Sequence, residues 1–190
     1  KTHGVAHTGS VAVGQAVART CAETFKPCLI EASGNDPFIV MPSAPLDIAA
    51  RGAAFAAYLN CGQVCTSAER FYVHDAIHDE FVERLTAEAK KLRVGNGLGQ
   101  VDMGPMATRR QRERFEGMIA NARQQGATVK TGGGRPASLN QGWYVEPTVL
   151  SDVTADMEIL NEEPFGPVAP ICRVKSFDEA VELANRSRYG

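Results

Sequence analysis

The 190-residue sequence lacks any apolar run near the roughly 18 residues that cross a bilayer. It also lacks a basic stretch leading into an apolar one at its start, so it reads as carrying no secretory signal. Charge of one sign is missing as well. Twenty Lys and Arg stand against 22 Asp and Glu, interspersed, for a net charge of −2. That balance excludes the electrostatic footprint of a nucleic-acid binder or of a protein held on an anionic membrane. The five cysteines (21, 28, 61, 65 and 172) are odd in number and lack the spacing of a disulfide framework. A reduced, cytoplasmic protein is the expectation. His3/His7 and His74/His78 are spaced i,i+4 but have no third ligand beside them, and Cys61/Cys65 have no second pair, so no metal site is expected. Gly132-Gly133-Gly134 lacks the lysine and Ser/Thr of a phosphate loop. Repeats and low-complexity stretches are absent.

What remains is 44% hydrophobic, 22% charged and 7% aromatic, the balance of a soluble globular domain. The chain starts without methionine in a strand-like segment and stops just after a helical pattern, which reads as a piece of a longer protein. Strand-like and helix-like segments alternate, the pattern of an α/β domain with a mainly parallel sheet flanked by helices. Strands are expected near 4–7, 27–31, 38–41, 70–74, 143–150 and 168–174, with a turn at 33–37. The first helix should carry Val13, Val17 and Ala18 on one side up to about Thr24, and an alanine-rich helix should cover 46–59. Over 75–92 the residues Ile77, Phe81, Val82, Leu85, Ala89 and Leu92 share a face, which predicts an amphipathic helix. A more charged helix is expected over 108–125. A closing helix follows over 176–186, with Ser176 as N-cap.

Four stretches carry chemistry. Cys65 lies in the short polar segment Asn60-Cys61-Gly62-Gln63-Val64-Cys65-Thr66, after a helix and before a strand, where α/β scaffolds place active-site loops. A cysteine is often an inert small hydrophobe. This one has a candidate base elsewhere in the chain, and a thiolate can add to a carbonyl carbon. Cys61 and Cys65 are close enough in sequence for a disulfide under oxidation. Glu31 is the candidate base. It ends the apolar run Leu29-Ile30 and precedes Ala32-Ser33-Gly34, so desolvation should raise its pKa toward that of a general base. An ordinary solvated turn glutamate is the alternative. Thr8-Gly9-Ser10-Val11-Ala12-Val13-Gly14 is a strand-to-helix turn whose small residues would admit a pyrophosphate to a helix N-terminus, or simply start a helix. Glu162-Glu163-Pro164-Phe165-Gly166-Pro167 is a stiff loop presenting an acid and an aromatic, suited to ribose hydroxyls and a flat ring.

Taken in order, these stretches resemble the aldehyde dehydrogenase superfamily. F-T-G-S-x-x-x-G is similar to His7-Thr8-Gly9-Ser10 with Gly14, and L-E-L-G-G to Ile30-Glu31-Ala32-Ser33-Gly34. N-x-G-Q-x-C is similar to Asn60 through Cys65, and E-E-x-F-G-P to Glu162 through Pro167. The weaker Gly104-Pro105 with Gln111, and Gly142-Trp143-Tyr144 with Pro147-Thr148, also fall in place. The resemblance implies an NAD- or NADP-dependent oxidation of a small aldehyde to its acid, with Cys65 the nucleophile and Glu31 the base. It puts Gly9, Ser10 and Gly14 at the pyrophosphate, Glu163 on the nicotinamide ribose, Phe165 against the nicotinamide and Gln111 on a ribose. It implies that 1–31 is the tail of a dinucleotide-binding Rossmann-like domain. Residues 32–190 would be a catalytic domain truncated at both ends, and the whole enzyme a homodimer or homotetramer. Ser33 and Ala32 depart from the family's glycine and leucine. Three rival readings stand beside it: a coenzyme A-acylating dehydrogenase that uses the same thiol, a thiol hydrolase without NAD, and a non-catalytic structural relative, against which the presence of both Cys65 and Glu31 counts. Glu31 favours hydrolysis over acyl transfer, and Glu163 with Phe165 favours a cofactor.

Overall fold

In a computed structural model, residues 2–189 are described, and the chain divides into two compact units between Gly34 and Asn35. The first is a single strand–helix–strand crossover: β1 (Val5–Thr8), α1 (Val11–Glu23) and β2 (Cys28–Glu31), with the two strands parallel and Val5 opposite Cys28. Helix α1 lies close to these strands because Gly14 has no side chain. A Cβ there would sit 2.8 Å from Cγ2 of Ile30. Gly14 and Cys21 therefore form the buried line of α1, with Val17 and Ala18 half-buried beside them. Val13, expected on the inner face, is 50% exposed, since one residue's rotation from Gly14 turns it outward.

The second unit holds a five-stranded sheet in the order β3-β4-β7-β6-β5. Its strands are β3 (Asp36–Val40), β4 (Ala68–His74), β5 (Thr128–Thr131), β6 (Thr148–Val153) and β7 (Val168–Val174). Only the β5–β6 pair is antiparallel. Around it pack α2 (Leu46–Tyr58), α3 (His78–Lys91), α4 (Arg109–Gln124), α5 (Glu158–Asn161) and α6 (Phe177–Asn185). This is the expected α/β architecture. The central strands read as continuous apolar runs because parallel strands covered by helices are buried on both faces. Phe71, Val73, Val149, Leu150, Val168 and Ile171 are completely buried.

Several expectations shift. The turn expected at 33–37 ends early, because Asp36 and Pro37 already belong to β3. Proline is tolerated there on an edge strand, and the register slips beside it. The strand expected over 143–150 begins only at Thr148, where pairing with Val168 starts. Pro170 lies inside the central strand β7. Its missing donor is matched by a bulge in β6 between Leu150 and Val153, with Asp152 at φ 58°. The helix expected over 75–92 begins with a 3-10 turn at Asp75–Ile77, and its core face is Phe81, Val82, Leu85 and Ala89, as the periodicity predicts. Strand β5 and the one-turn α5 were not anticipated. Two helix starts follow their capping signals: Thr108 accepts the Gln111 N–H and Ser176 accepts the Glu179 N–H.

Candidate active site

Helix α2 ends in three consecutive residues with left-handed backbone, Asn60 (φ 51°), Cys61 (φ 61°) and Gly62 (φ 66°). This reversal turns the chain back and delivers Cys65 to a tight turn closed by the Ser67 N–H on the Val64 carbonyl, 3.0 Å. The two cysteines of the segment part company here. Cys65 is exposed, whereas Cys61 is 2% exposed in the core, and burial pushes its thiol up to about 12. A thiol held protonated in an apolar setting is a poor nucleophile. Both are free, and the burial of Cys61 works against the disulfide considered from spacing alone.

The turn is fixed by contacts far along the chain. At Gly62 a Cβ would overlap the Gly166 carbonyl, and at Gly166 a Cβ would overlap the Phe115 ring of α4. Glycine at both positions therefore lets the thiol loop lie directly on the 162–167 loop, and that loop on α4. Oε1 of Gln63 accepts the Ala107 N–H at 2.8 Å, tying the same turn to the segment that enters α4. These contacts join the stretches bearing Cys65, Glu163, Phe165 and Gln111. Gln111 shares a reciprocal cap with Thr108, whose hydroxyl donates to its Oε1 at 3.1 Å. Its side chain therefore lies at the helix start.

The 162–167 loop is itself held from two sides. Arg114 donates to the Glu163 carbonyl (2.7 Å) and reaches that of Pro164 (3.4 Å). On the other side Oε1 of Glu69, a buried residue of β4, accepts the Phe165 N–H at 3.0 Å. Phe165 has a left-handed backbone, φ 47°, which is rare for an aromatic. Glu69 and Arg114 were not singled out from sequence. The one local signal was a charged pair, Glu69-Arg70, opening a strand that is otherwise apolar. Arg70 is explained by its own bonds, to the Asn35 carbonyl (2.6 Å) and the Ala184 carbonyl (2.9 Å).

In the first unit, Gly9, Ser10, Gly14 and Glu31 are gathered in one crossover. The Gly9 N–H donates to the Glu31 carbonyl at 3.1 Å, and the Gly14 N–H to the Ser10 carbonyl at 2.9 Å. Ser10 caps α1 with an extended backbone (φ −65°, ψ 152°) but makes no side-chain cap bond, and no acid occupies the first turn. The first-turn N–H groups are thus uncapped and meet no like charge, which suits an anion at the positive end of the helix. Glu31 is exposed at the end of β2, not enclosed as its apolar neighbours suggested. Its neighbour Leu29 is 72% exposed in the same strand. Among the described residues no group of three or more His, Cys, Asp or Glu is arranged to hold a metal ion, and no helix is long and apolar enough to cross a membrane.

Fold and loops together define an α/β protein with an exposed thiol on a locked turn beside a stiff Pro-Phe-Gly-Pro loop. Comparison with known proteins carries this further. The model of the aldehyde dehydrogenase family matches residues 1–190, and the chain belongs to that family. It is 45% identical over 184 residues to a 3-sulfolactaldehyde dehydrogenase of Pseudomonas putida, covering 96% of this chain and 37% of that protein. It is 43% identical to a succinate-semialdehyde dehydrogenase [NADP(+)] of Mycobacterium avium (strain 104), covering 96% of this chain and 39% of that protein. Among solved structures, a 3,6-anhydro-L-galactose dehydrogenase superposes with a TM-score of 0.96 at 41% identity, covering all of this chain and 40% of its own. The betaine aldehyde dehydrogenase of Staphylococcus aureus in complex with NAD+ gives a TM-score of 0.95 at 33% identity, covering 100% of this chain and 38% of its own. The chain thus spans about two-fifths of the length of these relatives.

Proposed function

We propose that this chain carries the nucleophile and the general base of an NAD- or NADP-dependent aldehyde dehydrogenase that oxidises a small aldehyde to its carboxylic acid. Residues 1–31 close its dinucleotide-binding domain and 32–190 belong to its catalytic domain. The observation that carries the reading is the pairing of an exposed Cys65 with a backbone lock, Gly62 against Gly166, that holds its turn to the Phe165 loop. A surface cysteine without a task needs no such fixing. The family's relatives include one named for NADP(+) and one solved with NAD+, which supports a nicotinamide dinucleotide here.

The residues present fit that group. The uncapped start of α1, with Gly9, Ser10 and the close-packed Gly14, would receive a pyrophosphate. Glu163 would take the nicotinamide ribose, Phe165 the nicotinamide ring, and Gln111 a ribose hydroxyl. In the reaction the Cys65 thiolate adds to the aldehyde carbon, and its own backbone N–H helps hold the oxyanion. A bound nicotinamide dinucleotide would supply a hydride acceptor, and loss of hydride from the Cys65 adduct would leave a thioester on Cys65. Glu31 then takes a proton from water, which attacks the thioester carbonyl, and the acid departs as the Cys65 thiolate is restored.

The test is the purified whole protein with a panel of small aldehydes and each nicotinamide dinucleotide, followed by NAD(P)H absorbance with and without coenzyme A. Acid formation without coenzyme A supports the reading. Turnover that requires coenzyme A replaces it with the acylating alternative.

A further inference from the structure

The reaction scheme above leaves unused one buried carboxyl group, and that group lies against the loop the scheme depends on. Glu69 is 3% exposed in β4, and its Oε1 meets the Phe165 N–H at 3.0 Å. Phe165 needs such a partner. Its φ of 47° is a strained conformation for a residue with a Cβ, and strained backbone persists only where its surroundings impose it. Arg114 supplies the other half of the imposition by gripping the carbonyls of Glu163 and Pro164. The loop is thus held by its N–H from the sheet and by its carbonyls from α4.

We propose that Glu69 is a positioning residue for this loop: its carboxyl accepts the Phe165 N–H and keeps Phe165 in its left-handed turn. The proposal rests on the reading of Glu163 and Phe165 as dinucleotide contacts.

The charge state follows from what faces the group. Burial is the largest influence and raises its pKa. The Glu163 carboxylate on the loop and Asp36 at the start of β3 push the same way. The Phe165 N–H and the Arg114 guanidinium oppose them, and the balance leaves Glu69 pushed up to about 9. Glu69 is therefore protonated at neutral pH, and a protonated carboxyl still accepts through its carbonyl oxygen. Above that pH it would be a buried anion near two other carboxylates. Ionisation strengthens the bond from the Phe165 N–H but sets a buried charge beside Glu163 and Asp36, so the loop senses the change of charge through that bond. Because the folded value lies above that of an unfolded carboxyl, the contribution is complete in acid and is lost as pH rises through about 9.

Two readouts in the whole protein test this. One is the dissociation constant of NADH, or of NADPH if that is the cofactor bound, measured at pH 7.5 by nucleotide fluorescence. The other needs no cofactor: the fluorine resonance of a trifluoromethyl-phenylalanine placed at position 165, followed from pH 7 to 10.5. In the unsubstituted protein the resonance should shift with a midpoint near 9. The dissociation constant at pH 7.5 should rise about tenfold in Glu69→Leu, the equivalent of roughly one hydrogen bond. Glu69→Gln keeps an acceptor that cannot ionise, so the resonance profile should become flat, with binding at pH 7.5 within about twofold of the unsubstituted protein. Glu69→Leu removes the acceptor and should displace the resonance at every pH. A resonance that titrates unchanged in Glu69→Gln, or that Glu69→Leu does not move, overturns the proposal. If the unsubstituted protein binds neither NADH nor NADPH at pH 7.5, the dehydrogenase reading fails. The fluorine profile still decides whether Glu69 sets the loop.

Discussion

Cys61 and Cys65 are the same side chain four positions apart in one short segment, and the fold makes opposites of them. Cys61 faces the core, with its thiol pushed up to about 12, while Cys65 stands exposed on the next turn. The difference comes from the backbone. The left-handed run at Asn60–Gly62 reverses the chain between them, so that one cysteine packs under the sheet and the other emerges. Exposure here is a property of where the chain turns, and the turn depends on Gly62 lying against Gly166.

The comparison is broken most severely at Cys65. Cys65→Ala should reduce aldehyde oxidation below a few per cent of the original rate, while cofactor binding, measured by fluorescence, stays intact. Next comes the step after the thioester. Glu31→Gln keeps shape but removes basicity, so steady turnover should fall by about 10²–10⁴-fold. A near-stoichiometric burst of NAD(P)H should survive it. If the burst disappears too, Glu31 acts before hydride loss.

Gly62→Ala attacks the geometry that separates the cysteines. The left-handed backbone alone should cost about 1–2 kcal/mol, and the new methyl must displace the Gly166 carbonyl. Urea unfolding should show the loss. Cys65 alkylation by iodoacetamide should change its rate, because its turn no longer rests on the 162–167 loop. The smallest effect belongs to Cys61→Ala. Removing a buried thiol in a packed core should lower stability by roughly 1 kcal/mol and leave turnover nearly unchanged. In the unsubstituted folded protein, alkylation at pH 8 should reach Cys65 and the exposed Cys28 but spare Cys61.

Much of this was legible from local pattern. The apolar face of α3, the cap at Ser176 and the strand at Val168–Val174 follow from period and capping chemistry, which act within a few residues. Motif spacing singled out Cys65 and the 162–167 loop. What escaped depends on distant partners. Val13 turns outward because Ile30 claims the space beside Gly14. Residues 143–147 stay outside the strand, with the Trp143 carbonyl taking the Met106 N–H, because pairing with β7 begins only at Thr148. Glu31 was expected to be enclosed, yet it is exposed in β2, as is its neighbour Leu29. Glu69 appeared only as a charge in an apolar strand. Its meaning came from the Phe165 N–H brought to it by the fold.

If Cys65 is the nucleophile, it alone among the cysteines of the chain should carry the acyl group. The direct measurement is to mix the Glu31→Gln protein with aldehyde and cofactor, quench in acid after the burst, digest it and locate the added acyl mass by peptide mass spectrometry. Close to one acyl group per chain is expected, on the peptide containing Cys65. An acyl group on Cys28 or Cys61, or a burst of reduced cofactor with no acylated cysteine at all, would contradict it.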